Sequence, residues 1–135
     1  HMGEYFQHWL DMGKKLGDKA PKIFNVNWFR LDDEGNFIWP GFGDNMRVLE
    51  WIIDRCEGKV DAKDTAIGYV PNVEDIDIEG LNDVTTDTIA ELLNVDKDVW
   101  TAEAADIEDF YNTTFGDKLP TELRDCLDTL KAKLN

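Results

Sequence analysis

The residues whose types could do chemistry are concentrated in one aromatic segment, residues 27–51. The chain has seven Phe and five Trp residues, and half of these twelve lie there: Trp28, Phe29, Phe37, Trp39, Phe42 and Trp51. Flat rings either build a hydrophobic core or form a slot for a flat ligand, and aromatic density alone favours the core. Phe42 departs from a core pattern, because it follows Pro40 and lies between two glycines, where a ring can be presented outward.

Phe29 is a second ring that the core does not need. In a strand over residues 23–30, Phe24, Val26 and Trp28 alternate on one face, and Phe29 lies on the other face. A ring on the face away from the core is available to a ligand. On the residue types alone, the core and the ligand slot both remain open.

The segment contains Asn27, Trp28, Phe29, Arg30, Asp32, Gly35, Phe37 and the unbroken run 39–45. In these residues it resembles the guanine-binding region of the GTP-dependent phosphoenolpyruvate carboxykinases. Flanking pieces also match: Tyr5, His8, Trp9, and residues 21–24, 47–51 and 67–69. The similarity is close up to Pro71 and looser from there to the C-terminus. Asp44 stands where Glu is frequent in the family, and Met46 stands where a small polar residue is usual.

The resemblance implies a base slot. Phe29 and Phe42 would sandwich the guanine ring, Phe37 would close the back, and the Asn45 side chain with the loop backbone would bind the base edge. The implied ligand-binding residues are Phe29, Phe37, Phe42, Gly43, Asp44 and Asn45. Stacking contributes roughly 1–3 kcal/mol for any base. The choice of guanine over adenine must therefore come from directional groups such as the Asn45 amide.

The resemblance also implies a reaction, the gluconeogenic conversion of oxaloacetate and GTP to phosphoenolpyruvate, GDP and carbon dioxide with manganese and a second divalent ion. We assign no catalytic residue and no metal ligand to this chain. It contains no G-x-x-x-x-G-K-[ST] phosphate loop, His8 is a lone imidazole, and neither Cys56 nor Cys126 inherits the family's reactive thiol. The metal ligands and the phosphate loop are expected in a preceding part of the enzyme. The piece alone is predicted to be inactive and to bind GTP weakly at best.

Charge limits the partners. With 29 acidic and 14 basic side chains the formal net charge is −15. Nucleic acid and anionic membranes are therefore not expected as partners, and a triphosphate must find its cations elsewhere. No apolar run approaches the roughly 20 residues that span a bilayer. The expected partners are GTP or GDP and the N-terminal part of the same enzyme, in the cytoplasm. The alternatives are a free-standing acidic helical interaction module without nucleotide binding and a purely structural scaffold.

The elements that would position these residues form one α+β domain over residues 3–135, mostly helical, with a hairpin near residues 23–39. It would be a partial lobe of a larger α/β nucleotide-binding domain, and His1 and Met2 look like a cloning remnant. Helices are predicted over 3–16, from 44 to Gly58, over 86–94 and 97–114, and from Pro120 as a first helical position. Thr88 and Glu91 have the spacing of a capping box. Residues 67–70 could be extended, and residues 74–79 could be an edge strand or a loop.

Overall fold

The structure is a computed structural model that describes all residues from 1 to 135, and it contains two compact units. The first combines His1–Pro21 with Val95–Asn135, and the second is Lys22–Asn94. Along the chain the elements are α1 Met2–Leu16, α2 Asn45–Cys56, β1 Lys63–Thr65, β2 Gly68–Val70, α3 Thr86–Leu92, α4 Lys97–Phe110 and α5 Thr121–Leu134. No helix has both the length and the apolar character required to cross a membrane. The predicted α+β class with a mostly helical content is confirmed.

The helices occur where their periodicity predicts them, and their ends differ by a few residues. α1 begins at Met2, because the His1 side chain accepts a hydrogen bond from the Gly3 backbone N–H. α4 ends at Phe110, where a π-helical turn, Tyr111–Phe115, takes over. Pro120 is the residue before α5 rather than its first helical residue.

The capping box of α3 lies one turn earlier than predicted. Thr85 is the N-cap: its hydroxyl accepts from the Thr88 N–H, and the Thr88 hydroxyl accepts from the Thr85 N–H. The prediction paired Thr88 with Glu91 instead. Both pairs have the same spacing in sequence, and the pair that forms is the one beside backbone N–H groups that have no helical partner.

The predicted hairpin over residues 23–39 is reduced to a single antiparallel bridge between Leu31 and Phe37. The two-stranded sheet forms instead from β1 and β2, with Lys63 opposite Val70. A lone pair of strands is marginally stable, and residues 23–28 have no strand beside them in this chain. The predicted extended piece at 67–70 is confirmed as β2. Residues 74–79 form the end of a short 3-10 turn, Val73–Asp75, followed by loop, and not an edge strand.

A core of buried side chains supports the second unit: Trp39, Trp51, Ile76, Val84 and Ile89. Phe24 packs against Trp51 with the two ring planes at 88° and the ring centroids 6.3 Å apart. Phe24, Val26 and Trp28 are half-buried while Phe29 is exposed, so the predicted alternation of faces holds without a regular strand.

The first unit has its own core around Phe115, which contacts Phe6 and Phe110 at centroid distances of 5.5 Å each. Leu127 and Leu134 of α5 are buried, whereas Leu123 and Leu130 are half-buried. The predicted leucine stripe therefore docks the last helix on its own unit. The apolar stripe of α1 behaves differently, because Tyr5 and Trp9 remain about half exposed.

Candidate functional site

The aromatic segment divides into buried and outward rings. Trp39 and Trp51 are each 5% exposed, whereas Phe29 is 70%, Phe37 63% and Phe42 99% exposed. The two interpretations of the segment therefore apply to different residues. Two of its tryptophans build the core, and the three phenylalanines of the predicted slot lie at the surface of the same unit.

Phe29 and Phe37 are brought together. Their ring centroids are 6.0 Å apart with the planes inclined at 60°. The chain reverses between them, because the Leu31–Phe37 bridge is closed by a hydrogen bond from the Asp32 N–H to the Asn36 carbonyl oxygen at 2.9 Å. The reversal turns two rings that are eight residues apart in sequence into neighbours.

The Asp32 carboxylate organises that reversal. Its Oδ1 accepts from the backbone N–H of Asn36 at 2.8 Å and of Glu34 at 3.0 Å. The hydrogen bond from the Asn36 N–H, with smaller contributions from the Asn36 side chain and nearby backbone N–H groups, lowers the pKa of Asp32. Hydrogen bonding to the charged form has this sign.

Phe42 makes no aromatic ring pair, in contrast to Phe29 and Phe37. Gly41 has φ 74°, and Phe42 itself has φ 49°. Left-handed backbone costs a residue with a side chain roughly 1–2 kcal/mol. Phe42 is the one residue other than glycine with positive φ. A strained backbone that presents a fully exposed ring is a feature of binding sites rather than of cores.

Asn45, the first residue of α2, is held by a core residue. Its side-chain oxygen accepts a hydrogen bond from the Trp39 indole N–H at 2.9 Å. The sequence prediction named Asn45 and missed Trp39, whose role is visible only when the loop 40–44 brings the two side chains together. A buried indole N–H usually has an acceptor, which is the signal that could have drawn attention to this pair.

Asp44 and Gly43, the other predicted contacts, border a loop that Arg47 braces. The Arg47 guanidinium donates to the Asp44 carboxylate at 3.1 Å and to the carbonyl oxygens of Asp77 at 3.0 Å and Glu79 at 2.9 Å. Arg47 is a second residue that the site prediction missed. The Asp44 carboxylate is thereby committed to a structural ion pair, and its backbone remains the group available to a ligand.

An open groove of about 660 Å³ runs beside this loop. It is lined by Gly43, Asp44, Met46, Arg47, Glu50, Ile53, Asp54, Asp77 and Glu79. Its carboxylates outnumber its single guanidinium, which already donates to protein oxygens. The groove is therefore electrostatically unsuited to a polyphosphate.

Arg30 anchors the start of the aromatic segment to α3. Its Nη1 donates to the carbonyl oxygens of Glu91 at 2.9 Å and Leu92 at 3.0 Å. These carbonyls belong to the last turn of the helix, where the regular helical donors run out, and the Glu91 oxygen also accepts from the Asn94 backbone N–H at 3.2 Å. The guanidinium thus serves the fold next to Phe29 and is not a free phosphate ligand.

The structure assembles no group of three or more His, Cys, Asp or Glu side chains that could hold a metal ion. Cys56 and Cys126 are free and exposed, and they belong to different units. This chain therefore presents no ligand set for the manganese that the resemblance implies for the enzyme.

Comparison with known proteins identifies the family of the chain. The family model described as the phosphoenolpyruvate carboxykinase C-terminal P-loop domain matches residues 1–133. A phosphoenolpyruvate carboxykinase (GTP) of Treponema pallidum is 50% identical over 136 residues, covering 100% of this chain and 22% of the relative. The proteins of the same name from Corynebacterium kroppenstedtii and Paenarthrobacter aurescens are 51% and 49% identical, over 99% and 98% of the chain. The chain spans about a fifth of the length of these relatives.

Proposed function

This chain belongs to the family of the GTP-dependent phosphoenolpyruvate carboxykinases, and we propose that it supplies the part of such an enzyme that binds the guanine base. The observation that carries the proposal is the exposure of three phenylalanine rings, Phe29, Phe37 and Phe42, in the unit that also holds Asn45. Three rings that the core does not use are available to a flat ligand. A purine offers a flat face to the rings and a polar edge to the amide.

The rings and the polar groups of the proposed slot have different roles, which follow from their chemistry. The rings contribute stacking, which is similar for every base. The Asn45 amide and the loop backbone contribute the hydrogen bonds that distinguish bases, since an unmatched polar group in a dry slot is penalised. Phe42 stays exposed until a base arrives, and its backbone strain is the cost of holding the ring ready.

We propose that the complete enzyme converts oxaloacetate and GTP to phosphoenolpyruvate, GDP and carbon dioxide in the cytoplasm, as a gluconeogenic decarboxylase. Manganese, when bound by the remainder of the enzyme, would offset the phosphate charge during transfer. This chain has neither a phosphate-loop motif nor a metal-binding cluster. Its own contribution is to bind and orient the base and thereby to place the triphosphate.

The remainder of the enzyme is the second proposed partner. α1 presents Tyr5 and Trp9 at 51% and 57% exposure, with the two rings in edge contact at 5.9 Å. Apolar surface of this kind marks interfaces. We assign this stripe to contact with the preceding part of the polypeptide.

The test compares GTP with ATP, by calorimetry, on the full-length enzyme and on the 135-residue chain. We expect the full-length enzyme to prefer GTP. Phe42→Ala and Asn45→Ala should lower that preference or the affinity without loss of folding. A full-length enzyme in which both substitutions leave nucleotide binding unchanged would contradict the base slot and support the scaffold interpretation.

Measurements on the isolated 135-residue chain test whether phosphate binding and catalysis belong to the rest of the enzyme. We expect no carboxykinase turnover and no micromolar GTP binding from it, because it has no group suited to the phosphates. Either activity in the isolated chain would contradict the assignment of phosphate binding and catalysis to the rest of the enzyme.

A further inference from the structure

We propose that Trp39 is a specificity-determining positioning residue: by donating its indole N–H to the Asn45 side-chain oxygen, it commits the Asn45 amide to offer a hydrogen-bond donor to the base. The inference rests on the proposed function, in which Asn45 contacts the base edge. Trp39 itself lies in the core at 5% exposure and acts through Asn45.

The chemistry of the pair decides the orientation of the amide. The two ends of an Asn amide are similar in size, so hydrogen-bond partners determine which end points where. The indole N–H donates and cannot accept. The group 2.9 Å from Trp39 Nε1 must therefore be the Asn45 oxygen, and the NH₂ group is directed away from the indole.

The NH₂ group is free to bind a ligand. Asn45 is half-exposed, and its Nδ2 makes no hydrogen bond within the chain. The oxygen is directed at the indole by its hydrogen bond, so this side chain presents its two N–H donors on the opposite side. An unrestrained Asn would offer either end.

A fixed donor distinguishes guanine from adenine. At the 6-position guanine carries a carbonyl oxygen, an acceptor, whereas adenine carries an amino group, a donor. A donor facing the 6-position pairs with guanine and opposes adenine, and the unpaired groups are penalised in a site that excludes water. If the amide could rotate, it would satisfy either base and the discrimination would be lost.

Trp39 holds the Asn45 amide rigidly, because Trp39 is itself packed in the core. It packs in the cluster with Trp51, Ile76, Val84 and Ile89. It also lies in sequence between Phe37 and Phe42. One core residue thus connects the stacking rings and the polar group in a single short segment.

Trp51 is a matched control within the same core. It has the same residue type and the same 5% exposure, and its indole N–H has no hydrogen-bond partner. Trp51→Phe therefore removes comparable packing from the core without removing an indole hydrogen bond. A difference between Trp39→Phe and Trp51→Phe reports the hydrogen bond.

The experiment measures Kd for GDP and ADP by calorimetry on the full-length enzyme and its Trp39→Phe and Trp51→Phe variants, with circular dichroism to check folding. We expect Trp39→Phe to lower the ratio of ADP to GDP dissociation constants about tenfold, the size of one hydrogen bond, and Trp51→Phe to leave the ratio unchanged. A Trp39→Phe ratio equal to that of wild type, or an equal loss in both variants, overturns the proposal.

Asn45→Asp gives an independent test that keeps the tryptophan. A carboxylate accepts from the indole with one oxygen and presents only an acceptor with the other, so preference should move from GDP toward ADP. Undiminished preference for GDP in this variant overturns the proposal even if Trp39→Phe fails to fold.

The failure of this inference is distinguishable from failure of the proposed function. If wild-type enzyme shows no preference for GDP over ADP, the proposed base slot fails. The hydrogen bond is tested without nucleotide in the 135-residue chain, where Asn45→Ala should shift the Trp39 indole proton signal in NMR spectra and leave the Trp51 signal in place. An unmoved Trp39 signal overturns the inference alone.

Discussion

Phe42 is the residue at which stability and function are most clearly separated. Its ring is 99% exposed and its backbone has φ 49°, so it contributes no packing to the core and adds backbone strain. The proposed function explains this position by the contact of the ring with the base. Phe29 and Phe37 differ, since each contacts the other as well as solvent.

Phe42→Gly should therefore separate binding from folding. Glycine adopts positive φ freely, so the free energy of unfolding should change by less than about 1 kcal/mol. Loss of one stacking ring, worth roughly 1–3 kcal/mol, should weaken GDP binding about 5- to 150-fold. Urea unfolding and calorimetry on the full-length enzyme measure the two effects. Phe42→Tyr keeps a stacking ring and should bind nearly as wild type, whereas equal binding by Phe42→Gly would remove Phe42 from the slot.

Asp32 is the residue whose ionisation should affect the turn between Phe29 and Phe37. Its pKa is lowered in the folded chain by hydrogen bonds from Asn36 and its neighbours. A carboxyl group with a lowered pKa stabilises the fold above its ordinary pKa of about 3.9, and this contribution is lost as the pH falls through the folded-state pKa.

The Asn36 amide signal in NMR spectra should consequently titrate with a midpoint below about 3.9, as protonation of Asp32 weakens the turn between Phe29 and Phe37. In Asp32→Asn that titration step should be absent. A midpoint at or above the ordinary value in the wild-type chain would show that the carboxylate is not held by the turn.

At the scale of elements, two arginines connect pieces that sequence patterns treat separately. Arg30 joins the aromatic segment to the end of α3, 61 and 62 residues away along the chain. Arg47 joins the loop before α2 to the loop after the 3-10 turn at residues 73–75, through bonds spanning 30 and 32 residues. Hydrogen bonds from a charged donor contribute roughly 1.5–3 kcal/mol each, which is enough to hold short elements that lack a sheet of their own.

The close approach of α1 to the turn at residues 116–118 depends on Gly3. A Cβ at this position would lie 2.0 Å from the Lys118 carbonyl oxygen. Gly3→Ala should therefore lower the free energy of unfolding of the first unit by about 1–3 kcal/mol, the usual cost of overpacking.

Gly13 is the matched control for Gly3, because it lies in the same helix and a Cβ there meets no atom within 4 Å. Gly13→Ala should stabilise the chain by about 0.5–1 kcal/mol. Urea denaturation followed by circular dichroism measures both variants. Equal changes in the two would mean that α1 does not contact the turn.

At the scale of the whole molecule, the net charge of the chain opposes the phosphates of the ligand that we propose for the slot. The chain carries −15, the groove beside the loop is acidic, and Arg30 and Arg47 are bound to protein oxygens. The proposed slot therefore offers favourable contacts to the base of GTP, whereas the acidic chain repels its phosphates. This is the physical reason why the proposed site requires the remainder of the enzyme.

The isolated chain should accordingly bind guanosine at least as tightly as GTP. Its affinity for GTP should rise when the salt concentration is raised from about 20 to about 300 mM, because salt screens the repulsion between the phosphates and the acidic chain. NMR titration of the Phe29 and Phe42 ring signals gives both affinities. GTP binding that weakens with added salt would indicate a cationic phosphate site within these 135 residues.

The sequence by itself determined the helices, the turn at Asp32, the outward direction of Phe29 and Phe42, and the family. These features depend on local periodicity, on glycine and proline positions and on an uninterrupted motif, all of which are readable over short stretches. Only the tertiary structure decided which N-cap forms on α3, that residues 23–39 make one bridge instead of a hairpin, and that the indole of Trp39 orients the amide of Asn45. These outcomes depend on which groups meet when the chain folds. Trp39 and Asn45 are only six residues apart, but the loop between them is braced by Arg47 through bonds across 30 and 32 residues.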